Sequence, residues 1–260
     1  MAEKKSTAPA ASGAAAPNAV HFILQGKGGV GKSLVAALLA QYFRQVLTGA
    51  GLKDVQCIDT DPVNQTLVNY KALGATHIAL MEGSKIDERK FDGLMERLLS
   101  EDGVFVVDNG ASSFVPLSNY LIENQAIDML RDAGREVYIH CVVTGGQALL
   151  DTLHGFAQLA SQAPTKNIIV WENEYFGPIE ADGKPFEQMK AFLNNQDKVR
   201  GVVKIAKRNA DTFGKDIEEM ASRKLTFAEV LAGSDFTIMA KQRIKTVQRD
   251  INDQLDNVGF

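Results

Sequence analysis

Six short apolar runs recur along the chain, and segments with helical spacing separate several of them. The runs cover residues 19–25, 54–60, 103–109, 136–143, 167–173 and 199–205. Each is continuously apolar instead of alternating, which is typical of parallel strands buried on both faces. Three-and-four spacing of apolar residues predicts helices within 33–47 and 116–134. The order of these elements predicts an α/β fold, with a doubly wound, mostly parallel sheet and helices on both faces.

The two ends of the chain differ from this middle part. Residues 1–18 are small, polar and interrupted by proline, with too few large apolar groups to offset the entropy of ordering them, so we expect a flexible tail. Residues 19–260 are expected to form a single domain. Apolar residues at three- and four-residue steps predict an amphipathic C-terminal helix over about 235–258. Docking on its own core is the simpler interpretation of this helix, and binding to a membrane or partner is the alternative.

Composition and charge narrow the class of protein. The net charge is −4 and the pI is near 5.6, so the chain as a whole is not attracted to nucleic acid or to anionic lipid. No stretch resembles a membrane span or a secretory signal, and we expect a cytoplasmic protein. Cys57 and Cys141 lie in apolar runs, where buried thiols are expected instead of a disulfide. His140 adjoins Cys141 on a strand, so the two side chains should point to opposite faces.

A glycine-rich loop supplies the main chemical signal. The segment 26–33 reads G-K-G-G-V-G-K-S and fits the P-loop pattern G-x-x-x-x-G-K-[ST] between a strand and a helix. Glycines let successive backbone N–H groups converge on phosphates, and the positive end of the following helix points at the same anion. Lys32 is predicted to bridge the β- and γ-phosphates of a nucleotide, and Ser33 to bind Mg²⁺. The candidate nucleotide-binding residues of this loop are Gly26, Lys27, Gly28, Gly29, Val30, Gly31, Lys32, Ser33 and Leu34.

Acidic residues follow two of the predicted strands. Asp108 closes an apolar run, as the Walker B acid does, and the small-residue loop at 109–113 is suited to sensing a γ-phosphate. Asp59 and Asp61 are one residue apart, so on an extended segment they would face the same side. We interpret this pair as one metal-organising and one water-positioning carboxylate. Capping of a helix by Asp61 ahead of Pro62 is the alternative.

The loop and the acidic segment together resemble a known family. KGGVGKS at 27–33, with two lysines, is similar to the deviant Walker A box of the ParA/MinD ATPases, and IDTDP at 58–62 is similar to their D-x-D-P segment. The resemblance covers about residues 20–173, and the wider chain is similar to the conjugal-transfer group of that family. It implies a homodimer formed through the nucleotide site. In such a dimer Lys27 would reach the phosphates held by the other subunit, while Lys32 would serve its own.

The resemblance also implies roles for the other site residues. Asp61 would orient the attacking water and act with Lys27 and Lys32 in catalysis. Ser33, Asp59 and Asp108 would hold Mg²⁺. Asn173 falls where the family places an adenine-contacting residue, which favours ATP. The implied metal ligands are thus Ser33, Asp59 and Asp108, and the implied catalytic residues are Lys27, Lys32 and Asp61. Asn173 is the implied base-binding residue. Trp171, in the same run, is expected to pack inside the sheet.

The implied function is a slowly hydrolysing, dimeric ATP switch in conjugative DNA transfer or plasmid maintenance, stimulated by a partner protein. A partition ATPase that binds DNA non-specifically is one alternative, although the best basic candidate, residues 241–249, is short and followed by acids. A MinD-like peripheral membrane organiser is a second alternative. A small-molecule kinase or ligase is a third, but such an enzyme has no evident need for Lys27.

Overall fold

The computed structural model describes residues 18–49 and 55–260. The predicted tail, apart from residue 18, lies outside the described residues. In chain order the strands and helices are β1 (Ala19–Ile23), α1 (Lys32–Gly49), β2 (Gln56–Asp59), β3 (Thr76–His77), β4 (Met81–Glu82), β5 (Lys85–Ile86), α2 (Lys90–Ser100), β6 (Phe105–Asp108), α3 (Phe114–Glu123), α4 (Ala126–Asp132), β7 (Glu136–Thr144), α5 (Leu149–Gln162), β8 (Ile168–Asn173), β9 (Glu180–Ala181), β10 (Lys184–Pro185), α6 (Lys190–Leu193), β11 (Val199–Ile205), α7 (Lys215–Ser222), α8 (Phe227–Ala232) and α9 (Ile238–Val258).

A seven-stranded sheet forms the centre of the domain. Its strand order is β11-β8-β7-β1-β6-β2-β3, and all neighbouring strands pair in parallel. The prediction of a doubly wound parallel sheet is therefore confirmed. Each predicted apolar run coincides with one of these strands to within two residues at either end, whereas the two-residue edge strand β3 was not predicted. From β1 the chain crosses to β2 and β3 on one side, returns to β6 between β1 and β2, and then continues to β7, β8 and β11 on the other side. Such a change of direction beside β1 opens a crevice at the carboxyl ends of the central strands.

Helices cover both faces of this sheet, as predicted. One apolar core joins the sheet to α1, α8 and α9, and a second core joins its other face to α2, α3, α4 and α5. Side chains along each strand alternate between the two cores, so Val142 lies in the first and Cys141 and Val143 lie in the second. Cys57 and Cys141 are both buried and reduced, as expected.

The segment predicted as one helix over 116–134 forms two. Helix α3 ends at Glu123 and α4 begins at Ala126. Gln125 between them adopts a left-handed conformation with φ of 51°, and the side chain of Asn124 donates to the carbonyl oxygen of Tyr120. The left-handed residue ends the hydrogen-bond ladder of α3. Apolar spacing continues across this break, which is why the sequence pattern did not reveal it.

The C-terminal helix α9 docks on the domain. Ala240, Ile244, Ile251 and Leu255 are buried against the α1 side of the sheet, as in the simpler interpretation of this helix. On edge strand β11, the backbone N–H of Lys204 donates to Oε1 of Gln254 at 2.7 Å, and Nε2 of Gln254 donates to the carbonyl oxygen of Lys204 at 3.1 Å. Helix α9 therefore covers a sheet edge as well as a face. Among the helices of the described residues, none has both the length and the apolar character needed to cross a bilayer.

Two histidines form a buried polar chain beside Trp171. The indole Nε1 of Trp171 donates to Nδ1 of His140 at 2.9 Å, and Nε2 of His140 lies 3.0 Å from Nδ1 of His21. All three side chains are fully buried, so Trp171 packs inside the sheet as predicted. Burial lowers the pKa of His140 to about 3. Burial, followed by the charge of His140, also lowers the pKa of His21 well below 6.5. Both imidazoles are therefore neutral near pH 7.

This pair predicts acid-sensitive stability. The unfolded chain takes up protons near pH 6.5, whereas the folded chain resists protonation down to about pH 3 at His140. The stabilisation is therefore present above about pH 6.5 and is lost progressively as the pH falls toward 3. From pH 7 to 5, the unfolding free energy of His140→Gln should fall by about 2 kcal/mol less than that of the unmodified protein. Urea unfolding at several pH values measures this, with exposed His154→Gln as the control. Parallel curves for the unmodified protein and His140→Gln would contradict the assignment.

Candidate nucleotide-binding site

The glycine-rich loop follows β1 and leads into α1, which begins at Lys32. Residues 26–29 are exposed. Gly31 has a φ of +102°, and a Cβ there would lie 2.8 Å from Nδ2 of Asn173. At Gly26 a Cβ would lie 2.9 Å from Cδ1 of Phe114. Only glycine suits these two positions, and the resulting loop presents its backbone at the surface, where a phosphate group can approach it.

The two lysines of the loop occupy different places. Lys32 is 8% exposed, and its Nζ donates to the carbonyl oxygen of Lys27 at 2.8 Å beneath the loop. Burial lowers the pKa of Lys32, while the charges of Asp108 and Asp61 oppose that effect. Lys27 lies at the surface, where its Nζ is 2.7 Å from Oδ2 of Asp151. An exposed pair of this kind contributes at most about 1 kcal/mol, so it opens readily.

Asp151 was not singled out from the sequence. It lies in the first turn of α5, and 124 positions along the chain separate it from Lys27. The predicted site residues lie at the carboxyl edge of the sheet. Asp151 lies near them because its helix, α5, follows β7, and β7 is the neighbour of β1 in the sheet. Nothing in the local pattern of α5 distinguishes this aspartate from an ordinary residue of a helix start.

Asp108 is the most isolated charged group of the site. It ends β6 with 1% exposure, and within residues 18–49 and 55–260 neither carboxylate oxygen has a partner at full hydrogen-bond geometry. Burial raises the pKa of Asp108 to about 7. The charges of Asp59 and Asp61 contribute to this rise, whereas the hydrogen bond from the Ser33 hydroxyl and the charge of Lys32 oppose it.

An unpartnered buried carboxylate beside a serine hydroxyl suits Mg²⁺. This cation is commonly held by one or two carboxylates together with phosphate oxygens and water. Across the described parts of the chain, no set of three or more His, Cys, Asp or Glu side chains is arranged to hold a metal by itself. Ser33 and Asp108 therefore fit a metal that arrives with a nucleotide.

Asp59 and Asp61 occupy different environments. Asp59 is fully buried, and its carboxylate accepts hydrogen bonds from the backbone N–H groups of Asp61 and Leu67, both at 2.9 Å. Burial raises its pKa, and these bonds oppose the rise. Asp61 accepts from the N–H of Val63 at 2.9 Å and caps the turn after β2, whereas the alternative placed Asp61 at the start of a helix. The strand ends at Asp59, and the metal-organising and water-positioning roles of the pair stay predictions.

A polar network behind these acids was not recognised from the sequence. Asn109 is 1% exposed, and its Oδ1 accepts from Oγ of Ser113 at 2.7 Å, with Oγ1 of Thr60 at 3.2 Å. Gly110 adjoins Asp61 so closely that a Cβ would lie 2.7 Å from the carboxylate. The small residues of the 109–113 loop suggested sensing of a γ-phosphate, but they did not indicate which residue makes which contact.

Asn173 ends β8 and supports the glycine-rich loop. Its Nδ2 donates to the carbonyl oxygen of Val30 at 2.9 Å, and its Oδ1 accepts from the N–H of Tyr175 at 3.2 Å. Ile205 on β11 is its register partner. An apolar groove begins there, and its lining includes Tyr175, Ile205, Phe213, Ile217 and Val247. The predicted contact between Asn173 and adenine stays a prediction.

The sheet and the glycine-rich loop define the class: the chain has the fold of the ParA/MinD P-loop ATPases, as predicted. A solved chain of the MinC:MinD cell division protein complex of Aquifex aeolicus is similar, with a TM-score of 0.51, 17% identity, and coverage of 89% of this chain and 94% of that one. Two curated Escherichia coli proteins named TraL are 51% and 50% identical to this chain. The matches cover 92% and 91% of it, and 98% and 97% of the relatives. The chain belongs to the TraL family. No protein-family model matches it.

The close approach of Gly110 to Asp61 is testable through stability. Gly110→Ala would press a methyl group into the Asp61 carboxylate and backbone, so the free energy of unfolding should fall by about 1–3 kcal/mol. Gly93→Ala is the control, because Gly93 is exposed within α2 and, apart from its own stretch of helix, no described atom lies within 4 Å of the added carbon. That variant should gain up to about 1 kcal/mol. Denaturant unfolding measures both. Equal stability of the two variants would contradict the packing described.

Proposed function

We propose that this chain binds ATP with Mg²⁺ and hydrolyses it slowly, as a dimeric switch in conjugative DNA transfer or plasmid maintenance. One observation carries the proposal: the loop holds one lysine beneath it and presents another at the surface. Membership of the TraL family, the fold and the resemblance to the conjugal-transfer group support the biological role. We expect the switch to act in the cytoplasm with a partner protein that stimulates it.

Nucleotide binding uses the loop and its surroundings. Backbone N–H groups of the exposed loop and the positive end of α1 attract the phosphates. Lys32 exchanges its bond to the carbonyl oxygen of Lys27 for the β- and γ-phosphates. The base lies toward Asn173, where the neighbouring apolar groove suits a flat aromatic ring.

Hydrolysis uses the acids around the loop. Bound Mg²⁺ would neutralise negative charge on the β- and γ-phosphates. Ser33, Asp108 and Asp59 would hold this Mg²⁺ ion. Asp61 orients a water molecule toward the γ-phosphorus. Attack by that water breaks the bond to the β–γ bridging oxygen and releases ADP and phosphate. Turnover in such switches is slow until a partner completes the site.

In the proposed dimer, the exposed lysine Lys27 binds phosphate groups. Lys27 leaves Asp151 and reaches the phosphates bound by the other subunit, which couples association to the presence of ATP. Exposed aliphatic residues flank the site and offer apolar area for a second copy. They are Val63 at 73% exposure, Val115 at 51% and Leu150 at 74%. Each is close in sequence to a residue of the site.

The first prediction from this proposal concerns nucleotide affinity. Lys32→Ala removes the buried cation and its charge-assisted bonds to phosphate, so the Kd for ATP should rise at least about 100-fold. Titration with a fluorescent ATP analogue measures the change. Lys166→Ala is the matched control, because Lys166 is exposed just before the amino end of β8. It therefore lies at the amino-terminal edge of the parallel sheet, whereas the loop lies at the carboxyl-terminal edge. Retention of full affinity in Lys32→Ala would rule out this binding site.

The second prediction separates the two lysines. Lys27→Ala should keep the ATP affinity within about threefold, because Lys32 remains, but it should lose ATP-dependent dimerisation and hydrolysis. Light scattering after size-exclusion chromatography, with a non-hydrolysable ATP analogue and Mg²⁺, measures the dimer. Lys166→Ala again serves as the control. A Lys27→Ala protein that dimerises like the unmodified chain would remove the proposed role of Lys27.

A further inference from the structure

Among the described residues, only the oxygen of the Asn109 side-chain amide has hydrogen-bond partners. The side chain is 1% exposed, and its Oδ1 accepts from hydroxyl groups on both sides, as described above. Its Nδ2 is also buried, yet within the described residues it has no hydrogen-bond partner. A buried N–H group without an acceptor is costly and therefore uncommon in folded proteins. The unsatisfied donor points to an acceptor that the described part of the chain does not supply.

The hydroxyl contacts indicate which end of the amide is unsatisfied. Oγ of Ser113 lies 2.7 Å from the assigned Oδ1. This distance is the usual one for an O–H···O bond, whereas N–H···O bonds centre near 2.9–3.0 Å. The oxygen of Asn109 therefore faces Ser113 and Thr60, and the NH₂ group faces away from them.

The surroundings of Asn109 are those of the proposed hydrolysis site. Asn109 follows Asp108 in the sequence, and the buried carboxylate oxygens of Asp108 also lack a hydrogen-bond partner of good geometry among the described residues. Gly110, which follows Asn109, adjoins the Asp61 carboxylate. Ala111 approaches the glycine-rich loop, since a Cβ at Gly28 would lie 3.8 Å from that of Ala111. The unsatisfied donor therefore belongs to the short segment between the phosphate loop and the acidic residues.

We propose that Nδ2 of Asn109 binds the terminal phosphate of ATP, directly or through the water held against it, and so distinguishes ATP from ADP. This inference rests on the proposed function. With ATP bound, the buried N–H group gains a charged acceptor. With ADP, which is one phosphate shorter, the group stays unpaired. The difference favours the triphosphate state.

The neighbours of Asn109 would couple a contact with the terminal phosphate to the rest of the site. Ser113, bonded to its Oδ1, immediately precedes α3, and Gly110 adjoins Asp61. An acceptor that fixes the Asn109 amide therefore also fixes the start of α3 and the position of Asp61. Val115, exposed in the first turn of α3, lies next to this junction.

Asn109→Ala tests the proposal through the ratio of two affinities. The variant should bind a non-hydrolysable ATP analogue on the order of tenfold more weakly, because a hydrogen bond to a charged group is lost. Its affinity for ADP should stay within about twofold. The freed hydroxyls keep other acceptors, since Ser113 Oγ lies 3.3 Å from the Gly110 carbonyl oxygen and Thr60 Oγ1 lies 3.0 Å from that of Asp108.

Two further variants complete the experiment. Asn124→Ala, at the exposed end of α3, is the matched control and should keep both affinities. Asn109→Asp keeps the shape and the accepting oxygen but replaces the donor with a negative oxygen, so it should weaken binding of the triphosphate more than alanine does. Asn109→Asp gives the answer if the alanine variant does not fold, as judged by its thermal unfolding.

The outcomes separate this inference from the function on which it rests. If the unmodified chain binds neither nucleotide, the proposed function fails. If it binds both and the Asn109 variants keep its ATP-to-ADP ratio, the role of Asn109 is wrong. Equal weakening of both nucleotides would also overturn it, because that result indicates general damage to the phosphate loop.

Discussion

Charges buried at one edge of an otherwise apolar sheet are the constraint on which this structure depends. Lys32 is 8% exposed and Asp108 is 1% exposed. Removal from water opposes both charges: it lowers the pKa of the lysine and raises that of the aspartate to about 7. The phosphates of a nucleotide would add negative charge beside the lysine, and a divalent cation bound with them would add positive charge beside the aspartate. The same feature that strains the isolated chain thus prepares it for a nucleotide.

The two-sided core holds this edge in place. Parallel strands with apolar side chains on both faces allow little movement, so the loops at their carboxyl ends are fixed where they begin. Short polar contacts then join the loops to one another. Asn173 ties β8 to the glycine-rich loop, Asp59 holds the turn that carries Asp61, and Asn109 links β6 to the start of α3. A nucleotide at this edge contacts loops that are already coupled.

The sequence predicted six of the seven strands of the central sheet, because a strand buried on both faces must be apolar at every position. It also predicted the glycine-rich loop, whose residue types are required by its backbone geometry. It missed β3, which has two residues and no pattern of its own. It also missed the break between α3 and α4, since a left-handed residue such as Gln125 leaves the spacing of apolar residues intact.

The amino-acid sequence by itself determined the fold class, the phosphate loop and the two lysines, since each of these depends on neighbouring residues and their period. Only the tertiary structure decided that Lys27 pairs with Asp151 and that Asn109 has a donor left unsatisfied by residues 18–49 and 55–260. Local patterns report which face of a strand or helix is buried. They carry no information about which polar groups meet across 124 positions of chain, because the packing of whole elements brings those groups together.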